Sequence, residues 1–487
     1  MRDNDLTMAD PLEPLRARTA LPDAVAADWV ALGNALLHHA NGDRAGLREA
    51  VDALVRAYRL DANCDPRLLH NVAQTAFILR DWPLVESSTA LLLTRDANDA
   101  NALVWRAAAV EARDDFAEAQ RLLHEAARAA PGNHIVLHKL ALCIKEQGRF
   151  GEAEALLHRV LEMTPNNAHA LFDLSELEVR AGRYAQGWLD YEARVAFAHD
   201  ANAAKDALAA ISANWRGESL TGKTLVVYGE QGNGDCLWAV RFLPLLAERA
   251  QREGGRVVFG YAGAMQQLFE RMLPDGIAIE TSLRTKPDFH CGLMSLPLRL
   301  GINDPSTWGR PYLSADPARV ELWRERVSAA TAAENRKVGI VWNGNPDHIR
   351  DRRRSIGAHE FARLLDVPGV SFFAVSPGRE QTVGQWRSQG GDVIDLTPQF
   401  EAGFDDVAAL LMNLDVLVTI DSGPAHLAGA LGVPTWLMLD RVSAWFWGDE
   451  TERTPWYQTA ELFRQPSVGA WRPVLEQVRA RLEALVA

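Results

Sequence analysis

The feature that most constrains the fold of this chain is a repeat with a period of 34 or 35 residues in its first half. Amphipathic helical sequences alternate with short turn-like segments, and one helix pair meets at a turn around Gly148. The turn-like segments are DANCDP from Asp61, DANDAN from Asp96, PGNH from Pro131 and PNNAH from Pro165. Because one helix pair cannot bury its own apolar face, successive pairs must stack, and the period predicts a helical solenoid.

The period, the turn positions and small residues such as Ala153 resemble those of tetratricopeptide repeats. We predict about four repeats over residues 28–198, the first of them degraded at residues 38–47, behind a disordered N-terminus over residues 1–27. Such a solenoid has a concave groove that binds a peptide or a protein partner, or mediates assembly into a homo-oligomer. The alternative is a dimerisation or spacer module, and the pattern favours binding or assembly over a spacer.

The charge and composition of the chain exclude several classes of function. A net charge of −13 over 487 residues argues against a general affinity for nucleic acid or anionic lipid. No stretch approaches the ~20 consecutive apolar residues that cross a bilayer, and the N-terminal sequence lacks the basic start and apolar run of a secretion signal. We therefore expect no membrane span and a cytoplasmic location.

The scattered positions of the four cysteines predict neither a disulfide framework nor a zinc site. They form no CxxC pair and have no nearby histidines at metal-ligand spacing. These cysteines are Cys64, Cys143, Cys236 and Cys291. We expect reduced, structural thiols and no bound metal.

The second half of the chain alternates strand-like apolar runs with amphipathic helices, which predicts parallel α/β sheets. After a linker over residues 199–219, a first series over residues 220–330 includes a long helix from Cys236 to Arg252. A second series occupies residues 331–487 and ends in a return helix. Two Rossmann-like domains in tandem place a ligand cleft outside the carboxyl ends of their strands, so functional residues are expected on loops that follow strands.

The first such loop is GEQGNGD, Gly229 to Asp235, between a predicted strand and a predicted helix. Its glycines allow a tight turn and a close approach of the backbone to a ligand, while the helix start offers free N–H groups to an anion. Asp235 either stabilises the helix start or acts as a general base in the cleft. The candidate ligand-binding residues of this loop are Gln231, Gly232, Asn233 and Gly234.

The second loop, Trp342 to Ile356, follows another predicted strand and is rich in arginine. Guanidinium groups give charge-assisted hydrogen bonds in a fork geometry to phosphate oxygens, which suits a nucleoside diphosphate. The alternative is a solvated basic loop in an acidic protein. The predicted donor-binding residues here are Asn343, Asn345 and Arg354. The role stays open for Arg350, Arg352 and Arg353.

The third loop is the most specific stretch of the chain, IDSGPAHLAGALGVP from Ile420 to Pro434. A glycine allows the turn after a predicted strand, and Pro424 suits the first position of a helix whose exposed N–H groups bind anions. His426 either contacts the donor or packs in the core. The predicted donor-binding residues are Asp421, Ser422, Gly423 and His426.

Two tryptophans further along, Trp445 and Trp447, leave two interpretations of equal weight. They either form an aromatic wall for a base or a sugar, or pack beneath the cleft. We include both among the candidate donor-binding residues and interpret Trp456 and Tyr457 as structural.

Residues 215–487 resemble the transferase domain of bacterial tetratricopeptide-repeat glycosyltransferases, which is related to the heptosyltransferase family and more distantly similar to O-GlcNAc transferase. The motifs that carry the resemblance are GEQGNGD, DFHCGLMSLPL, WNGNP with RRRS, DSGPAHLAGALGVPTWLML and TPWYQTAELFRQ. The resemblance implies an α-helical repeat solenoid followed by an α/β GT-B fold of two Rossmann-like domains. It also implies sugar transfer from a nucleotide-sugar donor with no cofactor and no required metal.

Roles for single residues follow from the same resemblance. The heptosyltransferases are similar in placing an acid at the Gly-Asp step of the first Rossmann-like domain, the position that Asp235 occupies here. We therefore predict an inverting displacement with Asp235 as general base, and with His290 on a loop after a predicted strand as the second candidate. Pro377 and Gly378 stand where many relatives have a Lys-Gly step, so a donor-phosphate cation is expected to be missing or replaced.

Three functions from different classes fit these features. The first is an enzyme that glycosylates a protein recruited by the repeats. The second is an enzyme that acts on a glycan or lipid-linked acceptor and uses the repeats for assembly. The third is an inactive protein-binding scaffold, which Pro377 would suit but which the intact Gly229–Asp235 and Asp421–His426 segments argue against.

Overall fold

The computed structural model describes residues 10–40, 43–196, 203–274, 276–282, 284, 286–348, 350–449 and 452–487. The chain divides into two compact units, Met1–Asn167 and Ala168–Ala487. Among the residues described, no helix combines the length and apolarity that crossing a membrane requires.

Helices packed in consecutive pairs make up the described part of the first unit. Its helices are α1 (Glu13–Thr19), α2 (Ala26–His39), α3 (Arg44–Leu60), α4 (Leu68–Leu79), α5 (Trp82–Arg95), α6 (Ala100–Glu111), α7 (Phe116–Ala129), α8 (His134–Lys145) and α9 (Phe150–Met163). The predicted turns supply helix caps, since the Asp99 carboxylate accepts hydrogen bonds from the backbone N–H groups of Asn101 and Ala102 at the start of α6. Alanines such as Ala50 and Ala119 are fully buried, because small side chains let the helices approach closely.

The repeat region differs from the prediction in number and at its start. The pairs α2–α3, α4–α5, α6–α7 and α8–α9 lie in the first unit, and a fifth pair lies in the second, where about four were predicted. The predicted disordered N-terminus over residues 1–27 contains the helix α1 and the first turn of α2. Its polar and proline-bearing composition concealed this helix, whose Arg16 pairs with Glu49 of α3. Residues 1–9 of that prediction lie outside the described residues.

The second unit combines a helix pair with two sheets. It begins with α10 (Ala168–Arg180), α11 (Tyr184–Tyr191) and a 3₁₀ helix, Glu192–Ala196. Its further helices are α12 (Ala203–Ala209), α13 (Asn233–Ala239), α14 (Leu243–Glu253), α15 (Gln266–Glu270), α16 (Leu296–Leu300), α17 (Pro317–Ala330), α18 (Asp351–Arg354), α19 (Ala358–Phe361), α20 (Glu380–Ser388), α21 (Phe404–Leu411), α22 (Gly423–Leu431) and α23 (Trp471–Val486). Its strands are β1 (Ala213–Asn214), β2 (Thr224–Tyr228), β3 (Arg256–Gly260), β4 (Ile277–Glu280), β5 (Phe289–Gly292), β6 (Arg336–Val341), β7 (Val370–Ala374), β8 (Val393–Asp395), β9 (Val416–Ile420), β10 (Thr435–Leu439) and β11 (Ala460–Arg464).

Both sheets are parallel, with the strand orders β1-β5-β2-β3-β4 and β11-β10-β9-β6-β7-β8. Counted from β6, the second sheet has the Rossmann order 3-2-1-4-5-6. The order reverses between β6 and β9 in this sheet and between β2 and β5 in the other, and ligands bind outside the carboxyl ends of strands at such points. The predicted fold class, a helical solenoid followed by an α/β region, is confirmed.

Two predicted boundaries in the second unit are wrong. The predicted linker over residues 199–219 contains α12 and the edge strand β1, which pairs with β5. Residues 199–202 of it lie outside the described residues. The single helix predicted from Cys236 to Arg252 is broken into α13, a 3₁₀ turn at Val240–Phe242, and α14. Pro244 explains the break, because a proline fits the first turn of a new helix and not a helix interior.

Arg241 joins the first sheet's helices to the segment between β10 and β11 of the second sheet. Its guanidinium donates hydrogen bonds at 2.8 Å to the backbone carbonyls of Trp308 and Trp456, and Nη2 donates to the Tyr312 hydroxyl at 2.9 Å. The Arg241 Cζ lies 4.8 Å from the centroid of the Tyr457 ring. Because the side chain is only 4% exposed, these carbonyls have no ready replacement by water.

We expect Arg241→Met to destabilise the chain by about 3 kcal/mol or more, because two buried carbonyls lose their charged donor. Arg252→Met, at an exposed position of α14, is the matched control and should stay within about 0.5 kcal/mol of the wild type. The free energy of unfolding from urea titration measures both. Equal stabilities of the two variants would contradict the role given to Arg241.

Candidate active site

Two post-strand loops, one from each sheet, meet where the sheets face each other. Gly229–Asp235 follows β2, and Asp421–His426 follows β9. A Cβ added to Gly234 would lie 2.8 Å from Cδ2 and 3.2 Å from Nε2 of His426. Because Cβ atoms essentially never come that near, only glycine allows the start of α13 to lie against this imidazole. The sequence expected both loops at one cleft, and the structure brings them into contact.

Asp235 occupies the first turn of α13, where its Oδ2 accepts a hydrogen bond from the Gly232 N–H at 2.9 Å. Burial raises the pKa of Asp235 to about 7, against the lowering effect of that hydrogen bond. The carboxylates of Asp421 and Glu230 raise the pKa further. The side chain therefore both caps the helix and titrates near neutrality, as a general base requires.

His426 is packed in the interior, which corrects the expectation that its side chain binds the donor. The ring is 4% exposed, with Nδ1 2.9 Å from the Tyr457 hydroxyl and Nε2 3.9 Å from Asp421 Oδ1. Its centroid lies 4.9 Å from that of Trp447. Burial lowers the pKa of His426 to about 3, so the imidazole is neutral. It holds the two loops together.

Asp421 and Arg354 lie together at the C-terminal ends of β9 and β6. Arg354 donates from Nη1 to the Asp421 carbonyl at 3.2 Å and from Nε to Asp351 Oδ1 at 3.2 Å. Burial raises the pKa of Asp421, although the neighbouring guanidinium of Arg354 lowers it. Ser422 is buried with its hydroxyl 3.0 Å from Thr419 Oγ1, and Gly423 begins α22. The Arg354 prediction thus falls beside the third loop.

Arg379 is a cation at the same edge that was absent from the predicted site residues. It donates from Nε to Asn343 Oδ1 at 2.8 Å and from Nη2 to the Gly344 carbonyl at 3.3 Å. It directly follows Pro377 and Gly378, on the loop after β7. The sequence signal was available, because loops after neighbouring parallel strands share one edge. A cation therefore stands beside the position where the resemblance had suggested one was missing.

Four other predicted donor-binding residues are exposed. Gln231, Gly232 and Asn233 are exposed on the first loop. Asn345 is exposed on the second, and its Oδ1 accepts a hydrogen bond from the Asp347 N–H at 3.0 Å. Within the described parts of the chain, no three histidine, cysteine, aspartate or glutamate side chains are grouped so as to hold a metal ion.

His290 lies on a strand and not on the predicted loop. It belongs to β5, which pairs with β2 on one side and β1 on the other. Its Nδ1 lies 2.9 Å from the Ser212 hydroxyl, and burial lowers its pKa. The short run around it gave too weak a strand signal, since the neighbouring strands supply the pairing. The structure does not bring His290 to the contact between the two loops, which corrects its assignment as a second base.

Trp445 and Trp447 pack beneath the cleft, which corrects their inclusion as an exposed wall. Trp445 is 6% exposed, and its ring centroid lies 5.0 Å from that of Trp238 and 5.3 Å from that of Trp188. Trp447 is 1% exposed. The sequence left both interpretations open, and the packing interpretation describes their positions.

Comparison with protein families finds a match to part of each half of the chain. Residues 109–162 and 145–187 match a tetratricopeptide-repeat model. Residues 370–438, from β7 into β10, match the model of glycosyltransferase family 9, the heptosyltransferases. The chain thus contains tetratricopeptide repeats and a region that matches glycosyltransferase family 9. The resemblance to the heptosyltransferases is confirmed, and the more distant similarity to O-GlcNAc transferase stays a prediction.

Among individual proteins, the chain is 28% identical to protein FlbA of Caulobacter vibrioides over 333 residues. The match covers 63% of this chain and 53% of FlbA, so the chain spans about half the length of that relative.

Two solved structures are similar to parts of the chain. A family 9 glycosyl transferase from Veillonella parvula has a TM-score of 0.43 and 15% identity, over 56% of this chain and 99% of the other. A thermophilic tetratricopeptide-repeat protein from Thermus thermophilus has a TM-score of 0.31 and 19% identity, over 38% of this chain and 98% of the other.

We expect Gly234→Ala to destabilise the transferase by about 1–3 kcal/mol, because the new methyl group meets the buried His426 ring. Gly384→Ala is the control, since nothing lies within 4 Å of an added Cβ on that exposed turn of α20. Calorimetry of both variants tests the contact. In a His426→Ala background the cost of Gly234→Ala should shrink, and an unchanged cost would contradict the contact.

Proposed function

We propose that the transferase moves a sugar from a nucleotide-sugar donor to an acceptor hydroxyl by a single displacement with inversion. The observation that carries this proposal is the position of Asp235, which has a pKa of about 7 and lies where the loop after β2 meets the loop after β9. A carboxylate that titrates near the working pH is suited to accept a proton in the transition state.

In the proposed step, the Asp235 carboxylate takes the proton of the acceptor hydroxyl while that oxygen forms a bond to the anomeric carbon. The bond from this carbon to the donor's phosphate oxygen breaks on the opposite face, and the nucleoside diphosphate leaves with the electron pair. The backbone hydrogen bond from Gly232 fixes the direction of the Asp235 carboxylate.

Arg354, Arg379 and the N-terminus of α22 would stabilise the charge of the leaving diphosphate, without a required metal ion. The two guanidiniums lie on neighbouring loops after β6 and β7, and the helix start adds a partial positive charge. Preorganised donors of this kind stabilise charge that develops in the transition state. The sugar and the nucleotide are left open by these contacts, which address phosphate alone.

We propose a protein as acceptor, recruited in the cytoplasm by the repeats. The described helix pairs of the first unit, and the repeat model that matches residues 109–187, support a protein-binding role. Transfer of radiolabelled sugar in a cell lysate tests it. Label that becomes soluble after protease digestion supports a protein acceptor, whereas label that partitions into organic solvent or stays on protease-resistant glycan contradicts it.

We expect Asp235→Asn to lower kcat by about 10²- to 10⁴-fold while donor affinity stays within about 2-fold, because only the proton acceptor is lost. Asp235 must be ionised to act, so kcat/KM of the wild type should fall as the pH drops below about 7. Release of nucleoside diphosphate, measured across pH, gives both results. Asp206→Asn, on the exposed surface of α12, serves as control, and near-normal turnover of Asp235→Asn would sink the assignment.

The same substitution should stabilise the fold at alkaline pH. The folded-state pKa of Asp235 lies above its ordinary value of 3.8, so the stability that the neutral carboxyl contributes is present below about pH 4 and is lost as the pH rises to about 7. We expect Asp235→Asn to raise Tm by about 2 °C or more near pH 8, and to have little effect near pH 4, where the group is protonated in the folded chain.

Nucleoside diphosphates should raise Tm of the wild type, because they bind the folded chain only. In a panel of UDP, GDP, ADP and CDP, we expect Arg354→Gln and Arg379→Gln each to weaken the binding of the nucleotide that shifts Tm by about 10- to 100-fold. Arg324→Gln, which removes an exposed guanidinium beside Glu321, is the matched control. Unchanged affinity in both cleft variants would contradict the proposed phosphate site.

A further inference from the structure

The segment over residues 168–196 contacts the Gly229–Asp235 loop of the candidate site and the loop after β10, although it follows the repeats in the chain. We call this segment, which comprises α10, α11 and the 3₁₀ helix Glu192–Ala196, the connecting segment. The match to the repeat model ends at residue 187, and the match to glycosyltransferase family 9 begins at residue 370. The residues discussed next, Tyr191 and Arg194, therefore lie in neither matched range.

Tyr191, the last residue of α11, reaches the Gly-rich loop. Its hydroxyl lies 3.0 Å from both Oε1 and Nε2 of Gln231. Its ring is 3% exposed, with centroids 5.3 Å from Phe172 and 6.4 Å from Trp445. Burial raises the pKa of Tyr191, and Asp235 contributes to the same direction. The hydroxyl is thus a neutral, fixed group beside the loop that carries Asp235.

Gln231 needs such a partner, because its backbone has a φ of +62°. A non-glycine residue in this left-handed region costs roughly 1–2 kcal/mol, and the surrounding structure must hold it there. The side chain of Gln231 is otherwise exposed. The side chain of Gln231 forms a hydrogen bond with the Tyr191 hydroxyl of α11.

Arg194 supports the same loop through Glu230, the residue that precedes Gln231. It donates from Nη2 to Glu230 Oε1 at 2.7 Å and to the Ser295 hydroxyl at 2.8 Å. Glu230 Oε1 also accepts the Met294 N–H at 3.0 Å, and a Cβ at Gly292 would overlap this oxygen. Burial alone would lower the pKa of Arg194, but the Glu230 and Glu192 carboxylates raise it above its ordinary value. The guanidinium of Arg194 is therefore charged, and its hydrogen bonds hold it in place.

The other side of the connecting segment contacts the loop after β10. Arg180 of α10 donates hydrogen bonds to the backbone carbonyls of Gly448, at 3.0 Å, and Ser443. Trp188 of α11 packs against an aromatic ring near each sheet. Its ring centroid lies 5.9 Å from that of Trp238 and 5.3 Å from that of Trp445. The connecting segment thus contacts an element that follows a strand of each sheet: α13 after β2, and the loop after β10.

We propose that Tyr191 is a positioning residue for sugar transfer: its hydroxyl holds Gln231 in the left-handed conformation and thereby fixes the start of α13, where Asp235 lies. This inference rests on the proposed function of Asp235. Only three residues separate Gln231 from Asp235 along the chain, and Gly232, the first of them, donates the hydrogen bond that orients the Asp235 carboxylate. A loop that relaxes at Gln231 loses this orientation and admits water to the carboxylate.

The test is Tyr191→Phe in the full chain, which removes one hydroxyl and keeps the packed ring. Amide hydrogen exchange at residues 229–236 should rise about 10-fold without any ligand. With UDP-, GDP-, ADP- and CDP-linked sugars assayed separately, kcat should fall about 10-fold while the donor KM stays within about 2-fold. Because a mobile loop exposes the half-buried Asp235 carboxyl further to water, the acid limb of the kcat profile should move to lower pH.

Tyr184→Phe is the matched control, because it removes a hydroxyl from the same helix at a ring that packs against Trp188 and Trp456. It should change none of the three readouts. Equal effects of the two variants, or faster loop exchange in Tyr191→Phe with unchanged kcat, would overturn the proposal.

Gln231→Gly removes the same hydrogen bond from the exposed side, so it tests the proposal without touching the aromatic packing. In this background Tyr191→Phe should lower kcat by less than about 2-fold further, and additive effects would overturn the proposal. Failure of the proposed function gives a different result, since Asp235→Asn would then keep its turnover. In that case a loss of kcat in Tyr191→Phe would still support positioning of the loop.

Discussion

The contact between Gly234 and His426 is the constraint on which the second unit depends. A helix backbone can lie against an imidazole only if the ring is held from its other sides, and Tyr457 and Trp447 hold it there. Tyr457 belongs in turn to the aromatic group around Arg241, which binds the carbonyl of the neighbouring Trp456. The segment between β10 and β11 therefore sets how closely the two post-strand loops approach.

The same packing gives the cleft its electrostatic character. Aromatic side chains exclude water beneath the loops, so a carboxylate from each sheet, Asp235 and Asp421, is raised in pKa. The guanidiniums of Arg354 and Arg379 both lie on loops of the second sheet. The proposed proton acceptor and the proposed diphosphate-binding cations thus belong to different sheets, which is the arrangement that the proposed displacement needs for its separate attacking and leaving groups.

Sequence periodicity was enough to predict the repeats, the two parallel sheets and the three loops, because these depend on local patterns. It failed where pairing is supplied from elsewhere: β1 and His290 of β5 are in strands only because neighbouring strands flank them. Trp445 and His426 could be interpreted as ligand contacts or as core, and only the three-dimensional packing distinguishes these. Tyr191 and Gln231 lie forty residues apart, and no sequence pattern links them.

The fifth helix pair, α10–α11, has a consequence for how such chains can evolve. Repeat arrays lengthen and shorten by duplication or loss of whole units, and each unit must fit only its neighbours. Here the last helix pair and the 3₁₀ helix after it form hydrogen bonds with post-strand loops of the two sheets, through Tyr191, Arg194 and Arg180. Earlier repeats are therefore free to be exchanged between genes, whereas residues 168–196 have to be inherited together with the transferase.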